Sequence, residues 1–185
     1  MAVVRLDSPQ VRVRSRLRRT SLLRRPVSRL AQTILAAAGE ADAELSLDLV
    51  GDRRMQRLNR QYRGRDYPTD VLAFPMREAK GPVTPLLGDV VISLDAAARQ
   101  SAAGGRPIEQ ELAALLIHGI LHLVGFDHER GIREARRMQR KERAILKSLR
   151  QVPRMIQVRA LVSPQPSRWL RSGTAGLRAP RRRGA

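Results

Sequence analysis

One segment decides how the rest of this chain is interpreted: residues 107–128 read PIEQELAALLIHGILHLVGFDH. Its apolar residues recur at helical spacing and predict a helix over about residues 108–124. Pro107 stands near the start and Gly125 just past the end, where proline and glycine are favoured. Gly125 can also adopt the left-handed conformation that ends a helix and reverses the chain. The segment therefore predicts a core helix followed by a sharp turn.

All three histidines of the chain lie in this segment, at positions His118, His122 and His128. His118 and His122 are four residues apart, so their imidazoles share one face of the predicted helix. After the turn at Gly125, His128 can swing back and supply a third nitrogen. Three neutral imidazoles with one open position are the ligand set of a catalytic zinc. The sequence therefore predicts one metal ion, with zinc as the first choice and nickel or iron as alternatives.

The chain has no cysteine, and the histidine segment has no glutamate after its first histidine; both facts limit the chemistry of this site. The chain contains no cysteine, so the metal must be held by nitrogen or oxygen, and disulfides are excluded. The histidine spacing equals that of the metzincin peptidases, H-E-x-x-H-x-x-G-x-x-H. Gly119 stands where those enzymes carry their catalytic glutamate. Without that general base, peptide hydrolysis is not expected.

Working outward, periodicity predicts the remaining elements, with strands early and helices late. The first strand is either 2–6 or 11–14. The next elements, in chain order, are a helix over 26–38, a strand over 45–50, a helix N-capped by Asp52 and running to 62, a short buried strand over 71–74 and a strand over 90–92. Three helices come after them, near 94–103, 108–124 and 130–150. This order predicts an α/β (α+β) domain, a small mixed sheet of about four strands packed by about five helices.

Charge divides the chain into a domain and a tail. The net charge is +19, with nine arginines and one aspartate in residues 1–30 and eight arginines and no acidic residue in 151–185. We predict a domain over 1–150, whose residues 1–20 are a partly ordered basic lead-in, and an arginine-rich disordered tail over 151–185. Such ends favour an anionic partner, nucleic acid before a membrane surface, although genomic base composition also explains 33 arginines against three lysines.

The sequence also indicates where in the cell the protein is expected to act. No apolar run approaches 18 residues, so no membrane-spanning helix is expected. The arginine-rich N-terminus resembles an organellar transit peptide, but a basic lead-in to the first strand explains it better. We expect a cytoplasmic protein that does not act at a membrane.

At this point the sequence resembles a known family, the YbeY-type single-strand endoribonucleases of rRNA maturation. Residues 118–128 (HGILHLVGFDH) are close to the family signature H-G-x-L-H-L-x-G-x-D-H. Residues 58–63 (LNRQYR), 68–75 (PTDVLAFP) and 87–93 (LGDVVIS) match further blocks in the family's order. The resemblance covers about residues 25–150. It departs at Ala73, where the family usually has serine, and it does not extend to the tail.

The resemblance implies a function. It implies one zinc ion held by His118, His122 and His128, with Arg63 and His118 as catalytic residues. It also implies cleavage of single-stranded RNA in rRNA maturation, at the 3′ end of 16S rRNA, and in ribosome quality control. The implied partners are the small ribosomal subunit and its assembly factors. The alternative is a zinc-stabilised ribosome-assembly factor without catalysis.

Three further residues receive interpretations of their own. Arg63 taken alone is typical of a solvated surface arginine, and only the resemblance places it in the site. Asp70 could cap a turn or orient a ligand imidazole, and the capping role is favoured. Asp127 is next to His128 and cannot easily bind the same metal, so we interpret it as a turn or supporting residue. Aromatic residues are only 3% of the chain, which argues against extensive base stacking.

Overall fold

The computed structural model describes residues 10–15, 17, 20–77 and 84–158. Within these residues it contains six strands, five α-helices and one 3-10 turn. They are β1 (Val11–Ser15), β2 (Thr20–Leu22), α1 (Arg24–Ala38), β3 (Glu44–Val50), α2 (Asp52–Arg63), β4 (Val71–Pro75), β5 (Leu86–Ser93), α3 (Leu94–Gly104), α4 (Ile108–Leu123), the 3-10 turn (His128–Arg130), α5 (Ile132–Ser148) and β6 (Ile156–Val158). The predicted fold class is confirmed.

The main sheet has four strands in the order β1-β3-β5-β4. β1, β3 and β5 run parallel, and β4 is antiparallel to β5. Alternation along β3 places Leu45, Leu47 and Leu49 on one face, in the main hydrophobic core that α1 and α4 also build. This face supports α4, the helix that carries two of the histidines.

The other face of the sheet is covered at β4 and β5 by α2. Met55 of α2 packs there against Leu72 of β4 and Val91 of β5. The strand predicted at 71–74 is confirmed as β4, but only Leu72 of it is fully buried. β4 is the last strand of the sheet, so one edge of it stays unpaired. That edge adjoins the candidate site.

The start of α2 differs from the prediction. Gly51, rather than Asp52, is the N-cap, and no side chain caps the helix at that position. The Asp95 carboxylate accepts a hydrogen bond from the Asp52 backbone N–H at 2.8 Å. The Asp52 carboxylate is therefore released to accept from Ser93 Oγ at 2.7 Å and from Arg99 Nη1 at 2.5 Å. Burial raises the pKa of Asp52, but these two hydrogen bonds lower it below its ordinary value.

The predicted tail boundary at residue 151 is wrong for residues 151–158. β6 pairs antiparallel with β2. Met155 is buried, and its carbonyl accepts a hydrogen bond from the Leu23 N–H at 2.9 Å. A three-residue strand has no periodicity to detect, and its partner is at the opposite end of the chain. The predicted strand at 2–6 and the tail from 159 lie outside the described residues. Among the described helices, none combines the length and apolarity needed to cross a membrane.

Candidate metal centre and its cleft

The turn that ends α4 has a defined hydrogen-bond pattern. The Phe126 N–H donates to the Leu121 carbonyl at 3.0 Å, and the Gly125 N–H donates to the His122 carbonyl at 3.1 Å. This pair of bonds is a Schellman motif, which requires a left-handed residue after the helix. Gly125 supplies it with φ of 90°, as the sequence predicted. The chain therefore reverses immediately after His122.

Asp127 then fixes the segment that carries His128. Its Oδ1 accepts from the Glu129 N–H at 2.9 Å, and its Oδ2 accepts from Arg130 Nε at 3.1 Å. These bonds cap the 3-10 turn and lower the pKa of Asp127, the backbone bond most. Of the two interpretations given above, the structure favours the turn residue. The cap brings His128 back towards α4.

The three imidazoles form a nearly equilateral triangle. Their ring centroids are 4.6 Å apart for His118 and His122, 5.3 Å for His118 and His128, and 5.1 Å for His122 and His128. One nitrogen from each ring lies within 4.8 Å of the other two. His118 Nε2 and His122 Nε2 are 3.0 Å apart. Nitrogens that converge in this way could hold one metal ion.

Glu142 on α5 supports this triangle, and the sequence analysis missed it. Its carboxylate lies 2.7 Å from His118 Nδ1. The hydrogen bond from His118 lowers the pKa of Glu142 despite partial burial. With Nδ1 donating to this carboxylate, the Nε2 lone pair of His118 is free for a metal. A signal was present, because Glu142 falls on the same helical face as the buried Met138 and Ile145.

His122 is adapted to bind a metal as a neutral imidazole. Burial lowers the pKa of His122 below its ordinary value, and the neighbouring His118 and His128 lower it further. Arg63 also contributes to this lowering, which places its guanidinium within electrostatic range of the histidines. A neutral ring keeps the lone pair that coordination requires.

Gly119 has a packing role on the face of α4 that meets the sheet. A Cβ at this position would lie 2.7 Å from Val90 Cγ1 and 3.2 Å from Val71 Cγ2. Real Cβ atoms essentially never approach another atom so closely. Glycine therefore lets α4 contact β4 and β5 directly. The glutamate of a metallopeptidase would collide with the sheet here, which supports the exclusion of peptidase chemistry.

The histidines form one wall of a cleft of about 880 Å³, and arginines contribute to the rest of it. Arg63, the last residue of α2, and Arg65 line the cleft. Two other lining arginines are engaged, since Arg77 lies 2.6 Å from Glu40 and Arg130 pairs with Asp127. No described carboxylate lies within ion-pair distance of Arg63 or Arg65. These two guanidiniums are available to an anionic ligand.

Asp70 lines the same cleft but does not orient a histidine. Its Oδ1 accepts from the Val71 N–H at 2.9 Å, and its Oδ2 accepts from Gln100 Nε2 at 3.0 Å. The favoured capping interpretation agrees with these contacts. Ala73, the departure from the family pattern, also lines the cleft and presents only a methyl group.

Comparison with known proteins identifies the family. The family model described as Endoribonuclease YbeY matches residues 13–150. A protein named Endoribonuclease YbeY from Anaeromyxobacter sp. (strain Fw109-5) is 53% identical over 139 residues, 75% of this chain and 68% of its own length. The protein of the same name from Geobacter metallireducens is 45% identical, over 74% of this chain and 93% of its own length. The one from Aquifex aeolicus is 40% identical, over 75% of this chain and 91% of its own length.

A solved structure agrees with this assignment. The solution structure of TM1509 from Thermotoga maritima is similar, with a TM-score of 0.55 and 26% identity. The likeness covers 75% of this chain and 88% of that one. The resemblance drawn from the sequence is confirmed, and this chain belongs to the YbeY endoribonuclease family.

Proposed function

We propose that this protein is a zinc-dependent endoribonuclease that cleaves single-stranded RNA at the cleft between His118, His122 and His128 on one side and Arg63 on the other. One observation carries the proposal. Three ring nitrogens converge within 4.8 Å on a cleft whose other wall presents an arginine with no described carboxylate partner. Membership of an endoribonuclease family supports RNA as the substrate and hydrolysis as the reaction.

The donor set fits zinc. Three neutral nitrogens suit this ion, and the chain has no thiolate to compete. The hydrogen bond from His118 to Glu142 is the kind of support that metal-binding imidazoles need. When bound, zinc supplies Lewis-acid chemistry, since it polarises a phosphoryl oxygen and lowers the pKa of a water to about 7.

The protein's own residues supply position and charge. The Arg63 guanidinium can donate two hydrogen bonds to the phosphoryl oxygens, where negative charge grows in the transition state. Glu142 holds the His118 ring in one tautomer and orientation. We assign His118 as a catalytic residue as well as a ligand, as the family resemblance implies, because with Nδ1 bonded to Glu142 its Nε2 would hold the metal at the site of reaction.

The biological setting follows from the family resemblance. We propose a role in rRNA maturation, including the 3′ end of 16S rRNA, and in ribosome quality control, in the cytoplasm. The small ribosomal subunit and its assembly factors are the proposed partners. We place the end of the catalytic domain after β6, at residue 158. The seven arginines of residues 159–185 would then be available for RNA phosphates.

The test is cleavage of a labelled single-stranded RNA by purified protein, with metal content measured on the same sample. We expect cleavage that stops with a chelator, returns with zinc and is far weaker on the matched duplex. Binding to ribosomal particles is measured in parallel. A zinc-loaded protein that binds particles but cleaves no RNA would contradict the enzyme and favour the assembly factor.

A further inference from the structure

The proposed chemistry does not use the open edge of β4, the last strand of the main sheet. Directly opposed residues of an antiparallel pair alternate between hydrogen-bonded and non-hydrogen-bonded positions. At one end of β4, the Ser93 N–H donates to the Asp70 carbonyl at 2.8 Å. At the other end, the Met76 N–H donates to the Leu87 carbonyl at 3.0 Å. The even-numbered residues of β4 therefore turn their backbone groups towards β5, and the odd-numbered residues turn theirs outward.

The three outward-facing residues of β4 offer different backbone groups. The Val71 N–H is already engaged, since it donates to Asp70 Oδ1 at 2.9 Å. Pro75 has no N–H, so it offers only a carbonyl. Ala73 keeps both its N–H and its carbonyl on the open edge, and no residue in the described part of the chain bonds to either of them. The edge therefore presents one complete donor–acceptor pair, at Ala73.

The residue that carries this pair belongs to the cleft. Ala73 lines the cleft together with the three histidines and Arg63. Its neighbour Val71 lies close to α4 beside His118, because a Cβ at Gly119 would be 3.2 Å from Val71 Cγ2. The cleft volume of about 880 Å³ leaves room beyond a metal ion and one phosphate. The open edge is therefore within reach of a nucleotide bound at the metal centre.

The pair at Ala73 is complementary to an unpaired RNA base. Every RNA base has a hydrogen-bond donor next to an acceptor on its Watson–Crick edge, and in a duplex both groups are already paired. The Ala73 side chain is a methyl group, so the hydrogen bonds at this position come from the backbone. Aromatic residues are only 3% of the chain, which is consistent with a base that is held by its edge instead of by stacking.

A peptide strand fits the same edge less well. A strand that joins a sheet gains affinity from a row of backbone hydrogen bonds. β4 offers a single free N–H, because the Val71 N–H is engaged and Pro75 has none. Proline at a sheet edge also discourages the pairing of a further strand. One base needs one donor–acceptor pair, and the edge provides one.

We infer that the Ala73 N–H and carbonyl bind the Watson–Crick edge of one unpaired base next to the scissile phosphate. The N–H donates to the acceptor of the base, and the donor of the base bonds to the carbonyl. The inference rests on the proposed function and deepens it, because it gives a physical reason for acting on single strands. Any of the four bases can make this contact, so it selects the unpaired state and not a sequence.

The first test compares two RNAs that differ only at the base edge. Zinc-loaded protein is mixed with a labelled 12-nucleotide oligouridine or with the same strand built from 3-methyluridine, in which a methyl group replaces the donor hydrogen on N3. Stopped-flow anisotropy measures binding before cleavage, and quenched samples measure cleavage. We expect the methylated strand to bind about tenfold more weakly, since both hydrogen bonds to Ala73 are lost. Equal binding of the two strands would overturn the inference.

The second test removes the Ala73 N–H. Lactic acid in place of Ala73 puts an ester oxygen where the N–H was and keeps the methyl group. We expect this protein to bind oligouridine about tenfold more weakly and the methylated strand like the wild type. Ala73→Pro also removes the N–H, at an edge position that tolerates proline, and should lose the same discrimination.

The control for the second test is a matched ester on the same strand. 2-Hydroxyisovaleric acid in place of Val71 removes an N–H that Asp70 already engages. This protein should still discriminate between the two strands. Thermal unfolding and zinc content of all the altered proteins check that the fold and the metal centre are intact.

The outcomes separate this inference from the proposed function. Discrimination that depends on the Ala73 N–H, in a protein that cleaves no RNA, supports the base contact and contradicts the proposed enzyme. Metal-dependent cleavage without discrimination supports the enzyme and overturns the base contact. An ester protein that binds both strands equally more weakly would place the N–H against the RNA backbone and also overturn it. The same holds for altered proteins that bind RNA normally but no longer bind ribosomal particles, since a protein strand would then occupy the edge.

Discussion

The two walls of the cleft are built in different ways. The wall of α4 and the turn after it takes three histidines from eleven consecutive residues, and local hydrogen bonds at Gly125 and Asp127 determine its shape. The wall at the end of α2 presents the exposed side chains of Arg63, from the helix end, and Arg65, from the following loop. The first is a rigid site for a small ion, and the second is an open surface for a long polyanion. A metal needs fixed distances between its ligands, whereas a flexible strand of phosphates needs positive charge.

The largest effect is expected on the histidine wall. His122→Ala leaves two imidazoles from the ends of the motif, a poor site for zinc. We expect bound metal to fall close to zero and metal-dependent cleavage to disappear, as measured by elemental analysis and RNA assay. Glu129→Ala, on the same turn, is the control and should retain metal. Stoichiometric metal in His122→Ala would break the three-histidine assignment.

A smaller effect, on zinc affinity, is expected at Glu142, which supports His118 from α5. Glu142→Gln keeps the shape of the side chain but loses the charge that holds His118 Nδ1. We expect zinc affinity to fall roughly 10- to 100-fold, measured by competition with a chelator. Glu134→Gln removes a half-buried carboxylate of the same helix that pairs with Arg137, away from the histidines, and should leave affinity unchanged. Equal affinities for both variants would show that Glu142 is not a supporting residue.

The contact of α4 with the sheet is tested by Gly119→Ala. The added methyl group meets Val90 and Val71, so we expect a loss of about 1–3 kcal/mol in unfolding free energy. Gly104→Ala is the matched control, because its Cβ meets only the guanidinium at the far end of the Arg106 side chain, at 3.2 Å or more. Chemical denaturation measures both. A Gly119→Ala protein as stable as the control would show that α4 does not need this close approach.

The smallest effect is expected at Asp52, the first residue of α2, the helix that ends at Arg63. Hydrogen bonds from Arg99 and Ser93 outweigh burial and lower the pKa of Asp52 below 3.8. The charged carboxylate thus stabilises the fold above pH 3.8, and this stabilisation disappears as the pH falls through the lower, folded pKa. Asp52→Asn should cost less stability than Gly119→Ala at pH 7, and the difference from wild type should close in acid. Asp66→Asn, a substitution of an exposed carboxylate, is the control and should cost little stability at pH 7 in the same urea titrations.

The same contrast explains what the sequence could predict. The histidine wall was predictable because spacing, helix end and turn are all local, and α4 spans 108–123 against a predicted 108–124. Glu142 was missed because its role depends on how α5 packs on α4. Arg63 entered only through the family resemblance, since a surface arginine carries no signal of its own.

Long-range pairing accounts for the other differences. β6 is short and pairs with β2 at the far end of the chain, so composition alone assigned residues 151–158 to the tail. Asp52 has the residue type and position of an N-cap. The carboxylate that accepts a hydrogen bond at this helix start, however, belongs to Asp95 on α3, and the Asp52 N–H donates it. The position of β4 at the edge of the sheet follows from the order of the strands. Hydrophobic periodicity along the sequence carries no information about that order.

The central claim is that both walls act on one scissile phosphate, and Arg63→Ala tests it most directly. Single-turnover cleavage of single-stranded RNA and zinc content are measured on the same samples. We expect the rate to fall about a hundredfold or more, with zinc content and thermal stability unchanged, and Arg63→Lys to recover only part of the rate. Cleavage by Arg63→Ala at the wild-type rate with full zinc would contradict the account.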